Sequence, residues 1–207
     1  MAKPIITVII PAYNEEQSIG KVVDDIPRSV VDHVIVVNNN STDKTVEVAK
    51  NAGAIVLDEP RRGYGWACLK GIDHSKTLNT EIVVFLDGDY SDYPEEIPDV
   101  LAPIFEQDMD MVIGSRVLGK REKGSLTPQQ VFGNWLATRL IRLFYRARFT
   151  DLGPFRAIKS ASLEQLKMAD KTYGWTIEMQ IKAAKHKMKF CEVPVNYKKR
   201  IGVSKVS

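Results

Sequence analysis

Asp87 and Asp89 stand one residue apart, directly after an apolar run at 82–86. Two carboxylates held that close repel each other, and the arrangement is sensible chiefly when a divalent cation or a ligand hydroxyl occupies the space between them. No His or Cys accompanies them, so the donor set is hard oxygen, which favours Mg²⁺ or Mn²⁺. Such ions usually complete their shell with water and substrate phosphates, which points to a nucleoside diphosphate as the ligand. Three more polar tracts follow apolar runs in the same way: Pro11-Ala12-Tyr13-Asn14-Glu15-Glu16, Asn38-Asn39-Asn40-Ser41-Thr42-Asp43 and Gly114-Ser115-Arg116. Helix capping accounts for part of this polarity, since Asn14 ahead of two glutamates and residues 41–43 ahead of Lys44 make good helix starts. Capping does not account for Asp87 and Asp89.

The elements carrying these tracts are legible as a pattern. Apolar runs of strand length at 5–10, 33–37, 54–57, 82–86 and 109–113 alternate with segments of helical periodicity at 15–26, 43–52, 66–75 and 95–105. That alternation predicts an α/β fold, a Rossmann-like, mostly parallel central sheet with helices on both faces. Ligands of such sheets bind beyond the carboxyl ends of the strands, so the polar tracts line one rim. A further helical segment, 131–149, sets Phe132, Trp135, Leu136, Leu140, Leu143, Phe144 and Phe149 among Arg139, Arg142, Arg146 and Arg148. A basic amphipathic helix of this kind suits peripheral contact with a membrane interface; core packing or a dimer interface suits its apolar stripe equally.

Composition narrows the classes. The chain has 207 residues, 44% hydrophobic and 27% charged, which describes one globular domain and excludes disorder and disulfide scaffolds. Cys68 and Cys191 have no metal-type spacing, and His33, His74 and His186 form no motif, so a zinc site is not expected and the thiols read as buried in a reducing, cytoplasmic compartment. No uncharged stretch is long enough to span a membrane. Residues 1–118 carry 10 Lys and Arg against 20 Asp and Glu, a net of −10, whereas 119–207 carry 19 against 6, a net of +13. An acidic half followed by a basic half suggests a cation site in the first and an anionic partner, or simply a solvated basic surface, in the second. The basic half lacks any recognisable RNA or DNA module, so an anionic lipid surface or a phosphorylated acceptor is expected rather than nucleic acid.

Taken in order, residues 11–16, residues 38–45, Arg62-Gly63-Tyr64-Gly65 with Ala67 and Gly71, the Asp87-Gly88-Asp89 triplet and Gly114-Ser115-Arg116 resemble the nucleotide-sugar-dependent glycosyltransferases of family 2, which have the GT-A fold. The second half is similar, less tightly, to the branch that includes dolichol-phosphate mannosyltransferase and polyprenyl-phosphate glycosyltransferases, on Asn134, Asp151, Phe155-Arg156, Glu178 and a tail at 197–205. The resemblance implies a single domain in which 1–118 binds the nucleotide sugar and 119–207 the acceptor. It implies that Pro11, Tyr13 and Glu15 contact the nucleoside, that Asp87 approaches the ribose or sugar, and that Asp89, with Asp87, holds the metal bridging the diphosphate. Asn39, Asp43, Gly65, Gly88, Arg200 and Lys205 complete the implied donor site. Arg116 or Arg200 would grip phosphate oxygens, the glycine-containing tail would order over the donor, and Asp151 and Glu178 are the candidate bases.

Three departures shape the expectation. The family commonly has Asp where Asn39 stands; losing the two-oxygen fork tilts the donor towards UDP over GDP. Ser91 stands where a Gln often follows the metal aspartate by two positions, so that Gln is not available as a second protein ligand. No paired acidic motif of the kind that serves hydroxyl acceptors occurs after Leu118. A phosphate monoester needs no base, because its second pKa is about 6 and its oxygen is already anionic at neutral pH. The implied reaction is therefore inverting, metal-dependent sugar transfer to a polyprenyl (dolichyl) phosphate. Transfer to a saccharide hydroxyl, a sugar-phosphate nucleotidyltransferase and a non-catalytic nucleotide-sugar-binding scaffold are the alternatives.

Overall fold

A computed structural model describes residues 3–202. The Val- and Ile-rich runs become β1 (Ile6–Ala12), β2 (His33–Asn38), β3 (Ile55–Asp58), β4 (Ile82–Phe85) and β5 (Met111–Ser115), and two more strands, β6 (Arg156–Lys159) and β7 (Phe190–Pro194), join the same sheet. The order is β3-β2-β1-β4-β6-β5-β7, with β6 antiparallel to both neighbours and every other pairing parallel. Alternate residues of β1 feed two cores. Ile6, Val8 and Ile10 face a layer built by α1 (Ile19–Asp24), α2 (Thr45–Asn51) and α4 (Ile97–Glu106). Ile9 faces the other, built by α3 (Tyr64–Thr77), α5 (Pro128–Tyr145), α6 (Ser160–Leu166) and α7 (Trp175–Lys185). Period-two burial with apolar residues on both faces is what helices on both sides of a sheet require.

Helix boundaries shift for local reasons. The segment expected to be helical from 15 starts only at Ile19, because Asn14 adopts a left-handed φ of 54° and residues 15–18 form a turn closed by Ser18 and Ile19 amides donating to the Glu15 carbonyl. A capping box between Thr127 and Gln130 starts α5 three residues early. Arg146, at φ 55°, ends it, and Phe149 turns inward to stack on Phe190 at 4.4 Å. Gly71 is where α3 crosses β1: a Cβ there would sit 2.5 Å from Ile9 Cγ2, so only glycine permits the approach. No helix among the described residues is long and apolar enough to cross a membrane.

The chain runs from β1 outward to β2 and β3, then returns to place β4 on the other side of β1. The loops after β1 and β4 therefore diverge, and they open a crevice at this switch point.

Candidate active site

The crevice is a cleft of about 290 Å³. Eight of the residues expected at a donor site line it: Pro11, Tyr13, Glu15, Asn39, Asp87, Gly88, Asp89 and Arg200. Ala12, Arg62, Gly63, Tyr64, Ala67 and Tyr173 complete the wall. Three consecutive asparagines build one side. Asn38 donates to Asp58 Oδ1 (2.8 Å), Asn39 to the Glu59 and Arg61 carbonyls (3.0 and 2.7 Å), and Asn40 to the Pro60 carbonyl (2.7 Å), while Asn39 Oδ1 accepts from the Gly63 amide at 2.8 Å. The Asn39 amide is thus committed to the loop between β3 and α3; only its oxygen retains a lone pair for a nucleobase.

Asp43 lies outside the cleft and serves its frame. Its carboxylate accepts from the Thr45 amide and hydroxyl (3.0 and 2.5 Å) and from the Glu16 amide (3.2 Å), and Thr45 Oγ1 in turn receives the Glu15 amide at 2.7 Å. Burial would push the Asp43 carboxyl up, but these bonds hold it below the ordinary carboxylate value. Gly65 is also behind the wall: a Cβ there would lie 2.2 Å from the Asp170 carbonyl oxygen, so its lack of a side chain admits the 170–172 backbone against α3.

The floor is acidic. Tyr64 Oη donates to Asp87 Oδ1 at 3.0 Å, yet burial and then the neighbouring Asp89 charge raise the Asp87 pKa to about 7. Asp89 is 2% exposed; its Oδ1 accepts from the Ser91 amide and hydroxyl (2.9 and 2.5 Å), and its Oδ2 accepts from Arg200 through Nε at 2.9 Å and through Nη2. Asp92, buried beside them, has no hydrogen-bond partner on either oxygen among the described residues, and burial followed by the charges of Asp87 and Asp89 drives its pKa well above normal. The tail crosses this floor as a strap, the Lys198 amide donating to the Ser91 carbonyl and the Ile201 amide to the Asp89 carbonyl, each at 2.9 Å. Lys205 lies outside the described residues.

The remaining expected residues do not line the cleft. Arg116 and Asp151 form a two-pronged ion pair (Nε–Oδ2 and Nη2–Oδ1, both 2.7 Å), reinforced by the Arg116 amide on Oδ2 at 2.8 Å. Burial pushes Asp151 up, and Arg116 overrides it, holding the carboxyl below its ordinary value. Glu178 accepts the Ala169 and Asp170 amides and pairs with Lys182 at 2.7 Å, tying the 169–170 backbone to α7. Both carboxylates are engaged as scaffold rather than presented to the cleft.

Residues 7–167 match the sequence profile described as Glycosyl transferase family 2. The chain is a family 2 glycosyltransferase. An uncharacterized glycosyltransferase of Mycobacterium tuberculosis is 33% identical to it over 210 residues, covering 100% of this chain and 92% of the relative. The UDP-N-acetylglucosamine–dolichyl-phosphate N-acetylglucosaminyltransferase of Methanococcus voltae is 28% identical, covering 94% of this chain and 86% of its own. Among solved structures, glucosyl-3-phosphoglycerate synthase from M. tuberculosis, crystallised with Mn²⁺, UDP and glucosyl-3-phosphoglycerate, superposes with a TM-score of 0.78 at 23% identity, over 98% of this chain and 73% of that one. That likeness establishes the GT-A fold.

The glycosyltransferase profile stops at 167, so Tyr173 and Arg200 enter the cleft from outside it. Tyr64 and Arg62 belong to a tract legible in the sequence, but their positions on the cleft wall follow from how α3 packs, which no local pattern encodes. No three His, Cys, Asp or Glu side chains among the described residues gather into a complete metal shell. A divalent ion here would draw on one or two carboxylates and take its other ligands from diphosphate and water, the usual habit of Mg²⁺. Asp87, Asp89 and Asp92 crowd this floor, where burial first and their mutual repulsion second disfavour the charged forms of Asp87 and Asp92, and Arg200 pairs with Asp89; a divalent ion would relieve that repulsion.

Proposed function

We propose that this glycosyltransferase uses the cleft to bind a UDP- or GDP-sugar with Mg²⁺ or Mn²⁺ and transfers the sugar, with inversion, to a polyprenyl phosphate. The observation that carries the reading is the meeting, at one switch point, of the Asp87–Asp89 floor, the Pro11–Tyr13 wall and a strap bearing Arg200. Pro11, Tyr13 and Glu15 hold the nucleoside, Asp87 approaches the ribose or sugar, and Asp89 is the protein ligand of the metal. The ion, when bound, neutralises charge developing on the departing diphosphate. Asp89 Oδ2 serves either the ion or Arg200, so Arg200 turns to a diphosphate oxygen when the donor site fills, gripping it with its planar fork.

The acceptor reading rests on how the two candidate bases are held. Asp151 is clamped by Arg116 and Glu178 by Lys182 and two amides. An acceptor that arrives already anionic requires neither. Its phosphate oxygen attacks the anomeric carbon in line, the bond from that carbon to the β-phosphate oxygen breaks, and the electron pair departs with the nucleoside diphosphate. Residues 119–207 supply the acceptor side. The relative that acts on dolichyl phosphate supports this assignment.

The test is turnover with UDP- and GDP-sugars and polyprenyl monophosphate, together with calorimetric titration of nucleotide and Mn²⁺ into wild type and Asp89→Ala. Release of nucleoside diphosphate and a glycosylated lipid phosphate is expected, with metal-dependent nucleotide binding lost in the variant. Pyrophosphate release, transfer only to saccharide hydroxyls, or unchanged titration of Asp89→Ala would overturn the assignment.

A further inference from the structure

Helix α5 divides lengthwise into three faces. Thr138 and Ile141 are buried towards the core. Phe132, Leu136, Leu140 and Leu143, spaced 4, 4 and 3 apart, form a second stripe that continues into Phe144 and is 40 to 71% exposed. Trp135, Arg139, Arg142 and Arg146, spaced 4, 3 and 4, run beside it, with the Arg139 guanidinium 5.8 Å from the Trp135 ring centre. At about 100° per residue both spacings are continuous rows on a helix surface. Five large apolar side chains facing outward along one helix exceed the scatter of single exposed residues that any surface carries.

The charges say what kind of partner this face meets. Neither Asp nor Glu occurs within α5, and among the described residues no carboxylate lies within ion-pair distance of Arg139, Arg142, Arg146 or Arg148. Five other basic residues of the second half, Arg200, Lys199, Lys182, Lys159 and Lys189, do meet carboxylates. A second copy docking isologously through α5 would bring an identical arginine row to the same interface and no acid to meet it. We infer that the outer face of α5 docks on the surface of an anionic lipid bilayer, with Phe132, Leu136, Leu140, Leu143 and Phe144 entering the acyl boundary and the arginine row lying at headgroup level.

For its purpose this surface rests on the lipid-phosphate acceptor proposed above; its geometry stands apart from that reading. Asn134, on the first turns of α5, donates to the Thr150 carbonyl at 3.0 Å and accepts from the Leu152 amide at 2.8 Å, which brackets Asp151 and, through it, Arg116. A helix lying on the bilayer would thus present the second-half loops beside the cleft to the level at which a lipid phosphate is exposed.

Co-sedimentation of the full chain with phosphatidylglycerol-containing vesicles, free of donor and polyprenyl phosphate, tests the surface. Binding is expected on these vesicles and not on pure phosphatidylcholine, weakening as salt rises. Arg142→Gln with Arg146→Gln should lower the partition coefficient by about fivefold per arginine, about thirtyfold together. Leu143→Glu with Phe144→Glu should abolish binding while melting temperature and nucleotide affinity stay at wild-type values. Equal binding to neutral vesicles, or none to anionic ones, would overturn the inference. So would a stable dimer in velocity sedimentation that Leu143→Glu with Phe144→Glu dissolves. Vesicle binding without transfer to polyprenyl phosphate would refute the acceptor reading alone, whereas transfer to detergent-dispersed polyprenyl phosphate without vesicle binding would refute the surface alone.

Discussion

Replacing Asp151 with Asn separates a scaffold from a base. Asp151 accepts three bonds from Arg116, two at 2.7 Å from the guanidinium and one at 2.8 Å from the amide, and its side chain is 1% exposed against 12% for Arg116. Removing one partner of a buried pair leaves an uncompensated charge, which costs about 3–5 kcal/mol. Asn keeps one acceptor for the guanidinium, so the lower end, about 3 kcal/mol, is expected. For a chain of this size each kcal/mol shifts the melting temperature by about 2–4 °C, giving a fall of about 6–12 °C. Urea titration should show a lower midpoint with unchanged slope. The pH dependence has a definite sign: the folded-state pKa of Asp151 is depressed, so its stabilisation is present above the ordinary carboxylate value of 3.8 and is lost as pH falls through the lower folded value. Wild type should therefore lose more stability than Asp151→Asn on acidification below about pH 4. A variant as stable as wild type but unable to turn over would refute the scaffold role and restore Asp151 as a base.

Two further outcomes follow from the cleft. Asn39→Asp removes two N–H donors from the Glu59 and Arg61 carbonyls and sets a carboxylate against both, so despite the family's common Asp at this position it should destabilise by about 2 kcal/mol and weaken UDP binding; denaturant titration and calorimetry read both, and tighter nucleotide binding would contradict the committed role of the amide. In metal-free protein the Asp87 pKa, about 7, lies above its unfolded value of 3.8, so the folded state binds the extra proton and stability should fall as pH rises from about 4 to about 7, by at most about 1.4 kcal/mol per unit from this group. Asp87→Asn should flatten that slope in denaturation curves collected with chelator present.

The five strands foreseen from Val- and Ile-rich runs form because such runs bury on both faces of a parallel sheet, and the polar tracts behind four of them do reach one rim. Strand β6 left no such trace. It is four residues long and begins with Arg156, which is fully buried, donates to the Thr176, Leu152 and Gly153 carbonyls, and has no partner for its Nε among the described residues. An arginine lodged among backbone carbonyls reads as a surface residue in any local window. The same limit applies to chemistry: Asp43, Asp151 and Glu178 look like site carboxylates by type, and only their partners in space reveal that they brace loops. Tyr173 is the converse case, reaching the cleft from a segment with no periodicity.

The division of charge along the chain gains a physical meaning from these contacts. Arg200, from the basic half, reaches the acidic floor at Asp89, while Arg116, the last basic residue of the acidic half, is held by Asp151 from the basic one. The two halves thus exchange one ion pair at the cleft and one behind it, and on the proposed reading a metal–diphosphate arriving at the cleft would add both signs of charge at once, the cation taking the place of Arg200 on Asp89 and the diphosphate receiving the released arginine. Donor and metal should consequently bind with positive coupling, since either alone leaves one of these groups unpaired. Arg200→Ala removes the competitor for Asp89 Oδ2, so Mn²⁺ alone should bind this variant more tightly than wild type, while Mn²⁺ should strengthen nucleotide binding less than it does in wild type. Manganese titrations followed by electron paramagnetic resonance, with and without UDP, measure both quantities; an unchanged Mn²⁺ affinity without nucleotide would mean that Arg200 does not compete for the metal's carboxylate.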